Sequence, residues 1–189
     1  ATRTVAMNTG LAPTNELAVR QAINQAVDKD TIIAKVLHGL EPRADALFAS
    51  NMPYANLGLK ALPYDPQRAR QRLDEAGWKL PVGKNIRVKD GEPLSIELVF
   101  LGTSALQKSL AEIIQGQLAN VGIAVKLRAE EDGALVQRQR EGRFGMIFAD
   151  TWGAPYDPHS FVSSMRYAGH ADYMAQRGLP MKDAIDHKI

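Results

Sequence analysis

The chain has 189 residues, 45% of them hydrophobic and 23% charged, with a formal charge of +2 and no cysteine. That composition is globular and long enough for a real core, and it excludes disulfides, thiolate zinc sites and cysteine nucleophiles. Charges of both signs are interleaved and no run of five like charges occurs, so no nucleic-acid surface is expected.

At the start, "ATRTVAMNTG" carries neither an initiating Met nor the apolar core of a signal peptide. That suggests an excerpt of a longer chain or one whose leader has been removed. Within it, "TRTVAMNT" alternates and is predicted as a strand. "PTNELAVRQAINQAVDKDTIIAKVLHG" (13–39) reads as helical, with Val19, Ala22, Ile23, Ala26 and Val27 on one stripe. Asp30 is the expected cap of a second short helix that ends at Gly39, and His38 suits that helix's C-terminus. Residues 40–64 show no sustained period and are expected to form a long surface connection.

"DPQRARQRLDEAGW" is punctuated as a helix, with Asp65 as N-cap, Pro66 at the first position and Gly77 as the stop. Trp78 is expected to clasp that helix. Asp90-Gly91 predicts a turn. Then come a strand (94–101), a helix (104–122) whose apolar face is Leu106, Leu110, Ile113, Ile114 and Leu118, and a strand (123–127). Strand, capped helix and strand over about 35 residues make a βαβ unit with parallel strands. Residues 132–143 read as another helix and 144–149 as another strand. The expected fold class is therefore α/β, a mixed sheet with a βαβ unit flanked by helices. No apolar run approaches the roughly 20 residues of a membrane span.

The chemistry concentrates in "TWGAPYDPHSFVSSMRYAGHADY" (151–173), which leaves the carboxyl end of that last strand. Ligands of open α/β sheets bind outside the carboxyl ends of strands, which makes this stretch the default binding segment. Trp152 and Tyr156 suit a cleft wall or a cover over the core. Asp157, His159, Ser163 and Ser164 supply the residue types of a hydrolase triad, in an order that matches no known arrangement. Asp157-Pro158 also has a sufficient local role as a helix start. No nucleophile elbow, P-loop or dinucleotide fingerprint is present. His170 is a candidate metal ligand, because neutral imidazole suits nickel, copper or zinc. His187, near the chain's end, has no assignable role.

Several segments carry a resemblance. "ELAVRQAINQAVDKDTII", "YDPQRARQRLDEAGW", "RFGMIFADTWGAPYDPHSFVSSMR" and "GHADY" are similar to the peptide- and nickel-binding family of extracytoplasmic solute-binding proteins, and the likeness runs over essentially all 189 residues. It implies a two-lobed protein with its ligand in an interlobe cleft, with residues 1–189 as a single lobe and the other lobe absent. It further implies a periplasmic, non-enzymatic component of an ABC importer, working with membrane permease subunits without itself spanning the membrane. The implied cargo is nickel as a small-molecule chelate, with free histidine as the expected chelator and no intrinsic cofactor. By motif, His170 becomes the metal ligand, and Trp152 and Tyr156 become the ligand-facing aromatics. The alternatives are a peptide or another metal chelate as ligand or, in a different class, a hydrolase using Asp157, His159 and Ser163. The chain departs from the family pattern at Val136, where a ligand-facing Tyr is expected.

Overall fold

The computed structural model describes residues 2–46, 48 and 61–151. Four strands form the main sheet: β1 (Arg3–Met7), β4 (Ser95–Leu101), β5 (Ala124–Glu130) and β6 (Met146–Asp150), in the spatial order β1-β6-β4-β5. β4 runs parallel to both β5 and β6, and β1 closes the edge antiparallel to β6, with Arg3 opposite Asp150 and Met7 opposite Met146. The sheet is therefore mixed, and the expected α/β class with its βαβ unit holds. Between β1 and β4, β2 (Val88–Lys89) and β3 (Glu92–Pro93) form a small hairpin around Asp90-Gly91, the predicted turn.

The helices are α1 (Leu17–Ala26), α2 (Lys29–Lys35), α3 (Pro66–Glu75), α4 (Ala105–Ala119) and α5 (Asp132–Glu141). Where the sequence carries a cap, the cap sets the start. Asp65 accepts from Arg68 N at 2.8 Å and Ser104 accepts from Gln107 N at 3.2 Å. The cap of α2 needs correcting. Asp28, not Asp30, accepts from Thr31 N at 3.0 Å and from Thr31 Oγ1 at 2.7 Å. A carboxylate two residues earlier meets the orphan amide first, which leaves Asp30 inside the first turn. α1 also begins later than expected. Residues 11–16 form turns, held by Thr14 Oγ1 donating to the Asn8 and Leu11 carbonyls.

Two connections decide which face each helix covers. β4 leads through α4 to β5 on one side, and β5 returns through α5 past β4 to β6 on the other. Crossovers between parallel strands share one hand, so reversing direction puts the two helices on opposite faces. The packing agrees. Leu110, Ala111, Ile114 and Leu118 of α4 join Ile96, Leu98, Phe100, Val125, Met146 and Phe148 in the main core, which α1 and α3 extend. On the reverse face Val99, Phe144 and Ile147 form a small cluster capped by Leu135 of α5.

Trp78 is buried in the main core, beyond the expected clasp on α3, and its Nε1 donates to Glu16 at 3.3 Å. Beside it Arg87, 3% exposed, donates to the Val121 and Trp78 carbonyls and to Asp74. A buried guanidinium is tolerated because its hydrogen bonds are made.

Candidate functional site at the carboxyl edge of the sheet

β4, β5 and β6 all end on one edge, at Leu101, Glu130 and Asp150, and β1 begins there. Thr151, the first residue of the candidate binding stretch, is 6% exposed at this edge. Its amide donates to the Thr2 carbonyl at 3.0 Å, and its Oγ1 accepts from Thr2 N at 2.7 Å. The β1–β6 ladder is thus prolonged by one reciprocal pair, which sets where the chain departs from the sheet. Trp152, Tyr156, Asp157, His159, Ser163, Ser164 and His170 lie outside the described residues, as does His187.

The edge is rich in charge. Arg3 Nη2 donates to Glu41 Oε1 at 2.9 Å, and Nη1 lies 3.8 Å from Asp150 Oδ2. The hydrogen bond to Glu41, helped by the Asp150 charge and opposed by partial burial, raises the Arg3 pKa above its ordinary value. Glu130, at the end of β5, accepts from Arg128 Nε at 2.6 Å and Arg138 Nε at 2.5 Å. Those bonds, first the one to Arg128, hold its carboxyl below the usual range. Both arginines also reach Glu97, Arg138 at 3.1 Å and Arg128 at 3.7 Å. The result is a closed ring of alternating charge that fastens α5 across β4 and β5. Val136, half-buried, rides on this helix.

The opposite edge holds an open depression of about 760 Å³ between the hairpin, the turns after β1 and the starts of β4 and β6. Among its polar lining groups, Lys89 bonds Glu16 at 3.0 Å and lies 5.6 Å from the Trp78 ring centre, and Arg138 reaches Glu97 at 3.1 Å. It is far along the strands from Thr151 and is not where the candidate stretch leaves the sheet. Among the described residues no group of three His, Asp or Glu side chains could hold a metal, and no helix is long and apolar enough to cross a membrane.

Residues 1–173 match the family model of the bacterial extracellular solute-binding proteins, family 5 (Middle). The chain belongs to this family. It is 58% identical over 185 residues to the nickel-binding periplasmic protein of Escherichia coli K12, covering 98% of this chain and 35% of that protein. Among solved structures it is similar to NikA from Brucella suis in complex with Fe(III)-EDTA, at 60% identity and a TM-score of 0.91, covering 99% of this chain and 38% of that one. It is also similar to NikZ from Campylobacter jejuni in complex with Ni(L-His), at 26% identity and a TM-score of 0.79, covering 96% and 38%. The chain thus spans little more than a third of the length of these relatives.

Arg3 and Glu41 were not among the sequence candidates. One signal was present: the period-2 pattern puts Arg3 on the face of Val5 and Met7, a charge on an otherwise apolar strand face. Nothing in the sequence marks Glu41 as its partner.

Proposed function

We propose that this chain is the ligand-binding lobe of a periplasmic solute-binding component of an ABC importer, and that the ligand is nickel carried as a small-molecule chelate. The observation that carries this is the 58% identity, over 98% of the chain, to a nickel-binding periplasmic protein. The likeness to structures holding Fe(III)-EDTA and Ni(L-His) supports a chelate rather than a bare ion. The fold supports it as well, since the carboxyl edge at which ligands of such sheets bind is where residues 151–173 leave β6.

In this reading residues 1–189 are one lobe and the cleft is completed by the rest of a longer protein. His170 donates an imidazole to the nickel, and Trp152 and Tyr156 pack on the chelator, with free histidine as the expected one. Val136 on α5, without the hydroxyl of a Tyr, alters which chelator is accepted. The protein performs recognition and catalyses no reaction, and its partners are the permease subunits of the importer.

The test is calorimetric titration of nickel with excess free histidine into the full-length protein and its variants. His170→Ala should weaken binding strongly and His159→Ala little. Equal losses would assign the wrong histidine. Binding of di- or tripeptides with no response to nickel would transfer the protein to the peptide-binding branch.

A further inference from the structure

We propose that the turn at residues 80–86 is a prong that rests reversibly on a lipid surface with anionic headgroups, independently of which ligand the protein carries. Three observations carry it. Leu80 and Ile86 are 48% and 40% exposed and Val82 is fully exposed, so three large aliphatic side chains stand in solvent on one turn. The turn is fixed at its base and at its tip. Lys79 and Val88 exchange backbone bonds at 2.9 and 2.7 Å, and the Arg87 amide donates to the Gly122 carbonyl at 2.9 Å. At the tip the Lys84 amide donates to the Pro81 carbonyl at 3.0 Å, and Gly83 supplies the φ of +74°. Between Glu75 and Asp90 the chain carries Lys79, Lys84, Arg87 and Lys89 and no acidic residue.

That combination decides what the prong fits. Single exposed aliphatic residues are ordinary, but three grouped on one turn mark a surface that something covers. Residues 79–86 are all exposed, so the tip encloses no small ligand. Of the four cations, Arg87 is held by Asp74 at 2.6 Å and Lys89 by Glu16 at 3.0 Å. Lys79 Nζ donates to the Asp74 carbonyl at 2.8 Å, and neither Lys79 nor Lys84 has a carboxylate partner among the described residues. Two charges therefore stand uncompensated beside the aliphatic tips. Aliphatic side chains flanked by lysines complement a bilayer interface. The apolar groups enter the boundary between headgroups and acyl chains, and each ammonium gains from an anionic surface that its flexible stem can follow. The prong stands where β4 and β5 begin, since Arg87 bonds the backbone of Gly122 and Leu94. Lipid contact there leaves the carboxyl edge, at the other end of the strands, free.

The experiment is sedimentation of the full-length protein with vesicles of phosphatidylglycerol and phosphatidylethanolamine, and with vesicles of phosphatidylcholine alone. The variants are Val82→Asp, Lys84→Gln and, as a control, Lys108→Gln, which removes an exposed lysine of α4. Partition to the anionic vesicles should exceed that to the neutral ones by about twentyfold, two lysines at about fivefold each. Val82→Asp should weaken it by about tenfold or more, because an apolar contact is lost and a repelled charge is added. Lys84→Gln should weaken it by about fivefold, and by less at high salt. Lys108→Gln should leave it unchanged. Melting temperature should move by no more than about 2 °C in any of them, since the altered side chains are exposed. Hydrogen exchange at residues 80–86 should slow when anionic vesicles are added.

Slowed exchange at residues 80–86 that disappears in Val82→Asp upholds the proposal. No sedimentation with either vesicle overturns it and leaves an apolar protein socket with an acidic rim as what the tip fits. Equal partition to the two compositions overturns it, as does partition that Val82→Asp does not change. Equal losses in Lys84→Gln and Lys108→Gln also overturn it, because they mark a diffuse attraction of the whole chain and not a contact by this turn.

Discussion

On one face of the sheet, Leu98 and Phe100 of β4 are buried under α4 with α1 and α3 beside it; on the other, Glu97 reaches Arg128 of β5 and Arg138 of α5. α4 buries Leu110, Ala111, Ile114 and Leu118, whereas α5 has no fully buried residue. The first face is held by area removed from water, which has no preferred direction and little dependence on salt. The second is held by a few apolar groups around Val99, Phe144 and Ile147 and by a ring of directed ion pairs. The same sheet therefore carries a rigid side and a side whose grip on its helix responds to salt and acid. Val136 lies on the responsive side.

The largest effect expected is on the apolar face. Leu98→Ala, at a residue with no exposed surface, should cost about 3 kcal/mol in a denaturant titration of the 189-residue chain. A loss below 1 kcal/mol would mean that this core collapses around the gap and is not the rigid side. Next is Gly122→Ala. Gly122 has φ +88°, and an added Cβ would lie 2.7 Å from Arg87 Cγ, whose own guanidinium is locked by buried hydrogen bonds. The expected loss is about 2 kcal/mol. A neutral result would show that Arg87 can be displaced cheaply.

On the charged face, Arg138→Met keeps the aliphatic stem and removes the ion pairs. It should cost about 1 kcal/mol at low salt, and the difference from wild type should shrink at high salt. A salt-independent loss would place α5's anchorage in its apolar contacts instead. The smallest effect is in pH. The folded-state pKa of Glu130 is lowered, so its contribution is present above the ordinary carboxylate value of about 4.3 and is lost as pH falls through the folded value. Protection of α5 from hydrogen exchange should therefore fall in acid before that of α4 does. Simultaneous loss in both helices would erase the distinction between the faces.

Much of this contrast could be read from residue patterns. The apolar periods of α4 and the alternation of β4 made the βαβ unit plain, and Asp65-Pro66 with Gly77 bounded α3 closely. β5 proved longer than predicted, Ala124–Glu130, because its last residues, Arg-Ala-Glu, lack the apolar alternation that marks a strand. They belong to the strand through ladder pairing with Val99, Phe100 and Leu101. The cap of α2 was misplaced because two carboxylates two residues apart satisfy the same local rule, and only the backbone angles decide between them. For the site, the carboxyl end of β6 as the point where residues 151–173 depart was legible from the strand pattern, while the aromatic residues of that stretch lie outside the described residues. The Arg3–Glu41 contact was not legible, since no local pattern pairs residues 38 apart.

The reciprocal bonds between Thr2 and Thr151 join positions separated by 149 residues. Contacts of such separation close the largest loops and carry the greatest entropic cost before any gain is returned. β4, α4 and β5 can assemble from neighbours in sequence, so the β1–β6 seam should be sealed late during folding and be an early place to open in the native state. The edge assigned here to the ligand would then be the last part of the chain to acquire its shape. A ligand bound across it would slow unfolding more than it speeds folding.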